Sequence, residues 1–441
     1  MPETRDTIAR LLQTLSGRKE VEAYLTRYAG VEAHRFAVIR VDGGLLFDAR
    51  EAVASALSFL HRVGLLPIVV HGAGRRLGEV LASAGCREQW IDGSPVVPPV
   101  AAEAMRRVYQ QANLALVDAL AAAGVAARPV PAGVFLARPR DPATFGLVGR
   151  VTDVDDAPLR SAFAAQQIPV VTDLALSPDG RVLFVDDDDA VGALAVRFEP
   201  YKIIYLDPAG GLLDASGRII PAVNLAADGS APLAATSGLP TVSRRRLSRL
   251  TAMLGHLPDE TSVSITAPDD LARELFTHKG RGTLVRKGEA VLAFRDFTAV
   301  DRGRLRALIE GCFGRAMVPD YFERKRCQRI YVTEQYRAAA VVTEEAGLPY
   351  LDKLAVTSKA RGEGLAAKLW NRMRTDFPRL FWRARDDNPV RGWYFDRADG
   401  GVRRGKWVVF WYGIDDFSAI ARCVHAAEHL PETLAPRPAG D

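Results

Sequence analysis

The sequence predicts an α/β protein of two domains, and three observations carry that reading. Its 441 residues exceed what one hydrophobic core ordinarily organises. From Phe36 to about Thr266, continuous apolar runs ("FAVIRV", "LPIVVHG", "IPVVTDL", "KIIYLD", "SVSIT") alternate with amphipathic stretches such as "AREAVASALSFLHRVG". Strands apolar on both faces and separated by helices indicate a mainly parallel sheet covered on both sides. After about residue 290 the texture changes, and five of the six tryptophans (Trp370, Trp382, Trp393, Trp407 and Trp411) fall there.

Taken in order, residues 1–35 alternate apolar and charged positions at helical spacing ("IARLLQTLSG", "EVEAYLTRYAG") and read as a helical arm outside the main core. Residues 36–290 form the first α/β domain and residues 291–441 the second. The second begins with helix "VDRGRLRALIEGCFG" and a hairpin of "RIYVTEQ" with "RAAAVVTEE", followed by strand "LPYLDKLAVT". The glycine turn "KARGEG" leads into helix "LAAKLWNRMRTDF", then strands "LFWRAR" and "KWVVFWYG"; the tail "LPETLAPRPAGD" reads as frayed.

Composition narrows the function. Hydrophobic residues at 48% with 25% charged describe an ordinary soluble globular chain. No apolar run approaches the roughly 20 residues that span a bilayer, and "MPETRDTIARLL" lacks a secretion-signal layout, so a cytoplasmic protein is expected. Four scattered cysteines, with no C-x-x-C, read as reduced buried thiols, and no metal site is expected. The net charge of +5 is mild. Its clusters "SRRRLSR" and "RADGGVRRGK" lack interleaved aromatics and read as solvated faces rather than nucleic-acid contacts, leaving small anions as ligands.

Two glycine turns follow strands in the first domain, "FAVIRVDGG" and "HGAG", a pattern that lets backbone N–H groups approach a phosphate. Arg40 stands where phosphoryl-transfer sites often carry lysine. In the second domain, strand "YLDKLAV" runs through "TSKARGEG" into a helix, placing free amides and the positive helix end at residues 361–365. A glycine turn alone is more often a plain connection. This one resembles the acetyl-CoA loop of the GNAT acyltransferases, with Lys359 where Arg or Gln is usual. Together "YLDK", "FWRARDDNP", "WYF", "KWVVFWYG", "FGRAMVPDYF" and "ELFTHKGRGTLVRKGE" resemble the N-acetylglutamate synthases of the vertebrate-like kind, also found as bacterial synthase/kinase enzymes.

The residues themselves suit that chemistry. Strand alternation puts the guanidinium groups of Arg383 and Arg385 on one sheet face, suited to carboxylates, and Lys353 on the preceding strand adds a point charge. The ordinary alternative for either arginine is a surface ion pair. The resemblance implies that Lys353, Arg383, Asn388 and Tyr394 line a glutamate site, with Arg385 beside them. It also implies that acetyl-CoA is bound at Leu354, Val356, Arg361, Gly362, Gly364 and Leu365. The reaction expected is direct attack of the α-amine of L-glutamate on the acetyl carbonyl, with Tyr394 the candidate general acid and Asn388 positioning groups, although such a tyrosine more often packs.

The first domain resembles the amino acid kinase fold of acetylglutamate kinase, with four departures. The family's lysine falls on Arg40 with Asp42 beside it, and its substrate arginine falls on Pro95. Its Asn-x-Asn-x-Asp run falls on Phe184, Asp186 and Asp188, and a later lysine falls on Arg246. Phosphoryl transfer depends on positioned charge, so a silent kinase domain is expected. The resemblance further implies an L-arginine effector near Glu274 and Gly282, and a homo-oligomer, dimer or tetramer. Two other readings are a bifunctional synthase/kinase and a catalytically silent arginine sensor.

Overall fold

A computed structural model of the chain divides into two compact units, Met1–Gly288 and Glu289–Asp441. The structure describes residues 35–74, 76–91, 94–228, 238–259, 261–276, 281–357, 360, 365–388 and 390–435. The expected helical arm (but for Arg35), Lys359 and the glycine-turn residues Arg361, Gly362 and Gly364 lie outside the described residues.

The first unit is built on an eight-stranded sheet: β1 (Ala37–Val41), β2 (Ile68–His71), β3 (Ala127–Val130), β4 (Ile168–Thr172), β5 (Lys202–Leu206), β6 (Ala222–Asn224), β7 (Ser262–Thr266) and β8 (Thr283–Arg286). Their order is β6-β8-β7-β5-β1-β2-β4-β3, and every pair is parallel except β7 with β8. The central strands are buried along their length, which is why they read as unbroken apolar runs. Helices α1 (Arg50–Arg62), α2 (Ala102–Ala122), α3 (Asp187–Phe198) and α4 (Thr241–Gly255) bury their apolar faces in this unit's core. A small closed barrel (Phe135–Pro139, Val148–Val154, Leu174–Leu176, Val182–Val185) accompanies the sheet.

The second unit is a seven-stranded sheet: β9 (Val291–Phe294), β10 (Cys327–Thr333), β11 (Ala338–Glu345), β12 (Leu348–Val356), β13 (Leu380–Arg385), β14 (Gly400–Arg404) and β15 (Trp407–Tyr412), ordered β9-β10-β11-β12-β13-β15-β14. Only β12 with β13 is parallel. Helix α6 (Leu365–Asp376) covers one face through Leu369, Trp370 and Met373, in a core shared with Trp382, Tyr394 and Phe410. Helices α5 (Arg302–Phe313) and α7 (Phe417–His429) bury their apolar residues in two further cores, with Val341 and Ala355 in one and Tyr350, Phe381 and Val409 in the other.

Two expectations are corrected. The tail is not frayed through residue 435: Leu434–Ala435 pairs antiparallel with Ala316–Met317, and the Thr433 carbonyl accepts from the Val318 amide at 3.1 Å. The "SRRRLSR" cluster is not simply solvated either, because Arg246 and Arg249 face Asp207, Asp186 and Asp188. The four cysteines are free, but only Cys423 is buried; the other three are half-buried. No helix among the described residues is long and apolar enough to cross a membrane.

Asp416 starts α7 by accepting from the amides of Ser418 and Ala419 at 3.0 Å each. Asp416→Ala leaves both amides without that acceptor and is expected to cost about 1 kcal/mol, read as an earlier denaturant midpoint of the second unit's transition.

Candidate functional site

The second unit opens where β12 and β13 part. They pair only at Tyr350 with Phe381 and Leu351 with Trp382, although β12 continues to Val356 and β13 to Arg385. Beyond that point, each strand's edge toward the other carries backbone groups with no strand opposite. The Thr357 amide donates to the Arg337 carbonyl on the β11 side, so by strand alternation the amides of Leu354 and Val356 face the opening. These donors fit an extended acyl carrier lying along the strand edge. Leu365, at the start of α6, is buried in the adjoining core.

A bulge decides which side chains meet at this opening. Val342 pairs with Leu351 and Val341 with Lys353, leaving Asp352 as the extra residue. Without it, Lys353 would share a face with Leu351. With it, Leu351, Leu354 and Val356 join the α6 core, while Tyr350 and Lys353 come to the other face, that of Phe381 and Arg383.

On this second face the cations are closely engaged. Lys353 is 6% exposed; its ammonium donates to the Asp352 carboxylate at 2.5 Å, to the Asp352 carbonyl at 3.2 Å and to Thr433 Oγ1 at 2.7 Å. Asp352 also receives Tyr321 Oη at 2.7 Å and faces Lys325 at 3.2 Å. Burial alone would raise the Asp352 carboxyl, but Lys353 and Lys325 hold it well below the usual carboxylate range. Lys353 is pushed down by burial, against the pull of a carboxylate it shares with a second lysine. Arg383 donates to the Ala427 carbonyl, to that of Leu430 at 2.9 Å and to that of Pro431 at 3.3 Å, capping the carbonyl end of α7. Arg385 donates to Glu432 at 3.1 Å. Both guanidinium groups lie over the Trp407 ring, at 4.1 and 5.5 Å from its centroid.

Tyr394 is on the α6 side, buried among Trp370, Trp382, Trp393 and Phe410 with ring centroids 5.5–6.3 Å away. Burial pushes its phenol well above the ordinary tyrosine range, and its hydroxyl has no hydrogen-bond partner among the described residues. Asn388 accepts from the Val390 amide at 3.0 Å, shaping the turn before Tyr394. The cations and the Tyr394 phenol thus lie on opposite faces of the sheet. Sequence reasoning missed Asp352, Thr433 and Glu432; the only signal was the adjacency of Asp and Lys in "YLDK".

In the first unit the Arg40 guanidinium is turned to its own chain. Its Nε donates to Asp187 at 2.7 Å and its Nη1 faces Asp42 at 3.3 Å; burial opposes its charge, and these two aspartates hold it charged all the same. The partner is Asp187, between the two aligned aspartates, while Asp188 faces Arg249 at 3.0 Å and accepts from Tyr205 at 2.9 Å. Burial, with Asp187 and Asp188 adding to it, raises the Asp186 carboxyl to about 7. The two glycine turns lie backbone to backbone: a Cβ on Gly43 would sit 2.2 Å from the Gly74 nitrogen. Pro95 sits in a two-residue ladder with Trp90, and Phe184 packs on Tyr109 at 5.6 Å. Glu274 is buried and accepts from the Gly282 amide at 3.3 Å, which brings those two residues together.

Comparison with known proteins bears on both units. Residues 290–429 match the family described as the N-acetyltransferase of N-acetylglutamate synthase, and residues 35–234 the amino acid kinase family. A Xanthomonas campestris protein named "Acetylglutamate kinase" is 45% identical over 95% of this chain and all of its own length. The human "N-acetylglutamate synthase, mitochondrial" is 34% identical over 99% of this chain and 80% of its own. A Neisseria gonorrhoeae N-acetylglutamate synthase, solved with coenzyme A and N-acetyl-glutamate, superposes with a TM-score of 0.62 at 20% identity, covering 89% of this chain and 97% of that one. A second gonococcal structure, with coenzyme A and L-arginine, gives 0.57 at 19%, covering 90% and 98%.

Asp352→Asn leaves the buried Lys353 without a carboxylate partner, while the half-buried Lys325 keeps Glu345 at 2.7 Å. A loss of roughly 3–5 kcal/mol is expected in chemical denaturation of the second unit. Asp186→Asn has the opposite sign. A carboxyl at about 7 in the folded chain, against about 4 unfolded, makes the native state bind more protons between those values. Native stability therefore falls as pH rises through that window, and the Asn variant, which can still cap α3, should lose this slope in pH-dependent melting.

Proposed function

This chain belongs to the family of two-domain proteins in which an amino acid kinase domain precedes the N-acetyltransferase of N-acetylglutamate synthase, and from that premise we propose that it makes N-acetylglutamate from acetyl-CoA and L-glutamate. At the level of reaction class it is an amino-acid N-acetyltransferase with acetyl-CoA as co-substrate. The observation that carries the finer reading is the parting of β12 and β13 with carboxylate-binding cations on one face and Tyr394 on the other.

The acceptor's carboxylates are held on the face of Lys353, Arg383 and Arg385, which directs its neutral amine into the opening. The amides of Leu354 and Val356 donate to the thioester carbonyl as negative charge gathers on its oxygen. As the C–N bond forms and the C–S bond breaks, Tyr394 gives its proton to the departing sulfur, and the proton released by nitrogen passes to solvent, from which the Tyr394 phenolate is reprotonated. The Tyr394 phenol carries its proton at neutral pH as any ordinary tyrosine does, and burial raises it further. Orientation of two bound reactants supplies much of the acceleration.

The kinase-like unit, in this reading, regulates and assembles rather than phosphorylates. Arg40, at the position of the kinase family's lysine, is committed to Asp187 and Asp42 rather than free for a transferring phosphoryl group. The segment around Glu274 and Gly282 is the proposed L-arginine site, supported by the closeness of the two residues, and self-association as a dimer or tetramer belongs to the same proposal. A second reading, that kinase activity persists, is favoured by the 45% identity to the protein named "Acetylglutamate kinase".

Release of coenzyme A thiol, followed across a panel of amino acids, tests the first reading. Glutamate is expected to be strongly preferred, and turnover of glycine or ornithine at the same efficiency would show the acceptor to be wrong. Tyr394→Phe is expected to lower kcat about 100-fold with little change in KM. ATP-dependent phosphorylation of N-acetylglutamate is expected to be absent, and its detection would establish the second reading.

A further inference from the structure

Helix α7 carries a pair of imidazoles that the reaction does not use. The helix reads "FSAIARCVHAAEH" and buries Ala419, Cys423, Val424 and Ala427, while His425, Glu428 and His429 are exposed. His425 and His429 are one turn apart on the same helix face, with ring centroids 4.2 Å apart and planes tilted by 40°. We infer that His425 and His429 form a two-imidazole site for a late first-row divalent cation such as Zn²⁺ or Cu²⁺, with Glu428 supplying negative charge beside it. The site is independent of the acetyltransferase reading. The scattered cysteines that gave no reason to expect a metal have no part in it.

Distance, tautomer, helix position and spacing all support the site. A tetrahedral ion held about 2.0–2.1 Å from each nitrogen needs its two donors about 3.3 Å apart, and rings this close reach that separation by side-chain rotation. His429 Nδ1 lies 2.8 Å from the His425 carbonyl oxygen. A carbonyl only accepts, so Nδ1 carries the hydrogen, and in the neutral ring Nε2 keeps its lone pair for a metal. The same bond orients the ring, as outer-shell hydrogen bonds do at metal-binding histidines generally. His429 is the last residue of α7 and His425 stands one turn earlier, where the unsatisfied carbonyls of a helix end favour a cation. Residues 425–429 read H-x-x-E-H, a helical spacing at which two histidines grip one Zn²⁺ in metal-dependent hydrolases.

The surroundings decide what kind of site this is. Among the described residues, three metal-ligating side chains come together only at Asp186, Asp187 and Asp188, so no third protein ligand joins His425 and His429. Water completes the coordination, which makes the ion exchangeable and its binding weaker than in a closed four-ligand site. With two ligands on a solvent-exposed face, the pair binds a metal and does not form a hydrolytic centre. Imidazole selects the later first-row ions, with Cu²⁺ above Zn²⁺, whereas Mg²⁺ prefers oxygen. Arg422, one turn before His425, and Arg383, which donates to the Ala427 and Leu430 carbonyls, oppose a cation, and Glu428 offsets them. An ion gripped by both rings ties together the last turn of α7 and so stabilises the folded chain.

The test uses the full chain, free of chelators and added thiols, titrated with Zn²⁺ in a calorimeter. A Zn²⁺ site is expected that weakens at least about tenfold in His425→Ala and in His429→Ala, since loss of an outer-shell partner alone costs that much at metal sites. Saturating Zn²⁺ should raise the Tm of the wild type by about 2–4 °C and that of neither variant, while Mg²⁺ at the same concentration moves none of them. With Cu²⁺ as the probe, the electron paramagnetic resonance spectrum of the wild type should show coupling to two imidazole nitrogens, reduced in each variant. A wild type that takes up no Zn²⁺ at millimolar concentration overturns the site. Zn²⁺ binding of undiminished strength in either variant also overturns it and places the ion elsewhere, as at the three aspartates. Should one variant fail to fold by thermal melting, the other decides, because each removes one of the two ligands; a Cu²⁺ spectrum of the wild type without imidazole coupling rejects the site whatever the variants do.

Discussion

The second unit depends on a single break in backbone pairing. Sheets normally satisfy both edges of an interior strand, since buried N–H and C=O groups without partners are costly. Here β12 lies inside the sheet, yet loses its neighbour β13 after Leu351 and Trp382. The groups left open are therefore bought at a structural cost, and a bound extended ligand restores what the missing strand would have supplied. The aromatic floor of Trp370, Trp382, Tyr394 and Phe410 gives that region the rigidity to stay parted, because large rings in edge-to-face and stacked contact resist collapse.

The extra residue Asp352 has two effects at once. It moves Lys353 to the face of Arg383, and its own carboxylate neutralises the lysine so placed. A buried ammonium needs such a partner, and a partner on the same bulge cannot drift away from it. The first unit meets the same physical demand at Arg40, where Asp187 and Asp42 answer a buried guanidinium. The two cases differ in consequence. Arg40 is held by two aspartates, while Lys353, Arg383 and Arg385 of the second unit are held by residues 430–433, a short segment reaching them from the end of α7.

That segment changes the meaning of the chain's last described residues. Proline, small and polar residues in "LPETLAPRPAGD" carry the composition of a loose terminus, and composition alone gave no reason to expect order. Its order comes from partners far away in sequence, 80 residues for Thr433 with Lys353 and 47 for Glu432 with Arg385. The Lys406 cluster, too, looked like a solvated charge run until Glu432 was seen beside it.

By itself the sequence determined the two-domain α/β architecture, the strands of both sheets' centres, and the alternation that puts Arg383 and Arg385 on one face of their strand. These rest on local signals: continuous apolar runs, period-two alternation and glycine turns, each readable within a few residues. The quoted motifs were also enough to indicate the family. Only the tertiary structure decided which face Lys353 occupies, because an inserted residue inverts strand parity without leaving any mark in composition. It alone paired Arg40 with Asp187 rather than with either aligned aspartate, and brought Glu432 to Arg315, Arg385 and Lys406. Charge partners are fixed by distance in space, and a single sequence carries no record of that distance.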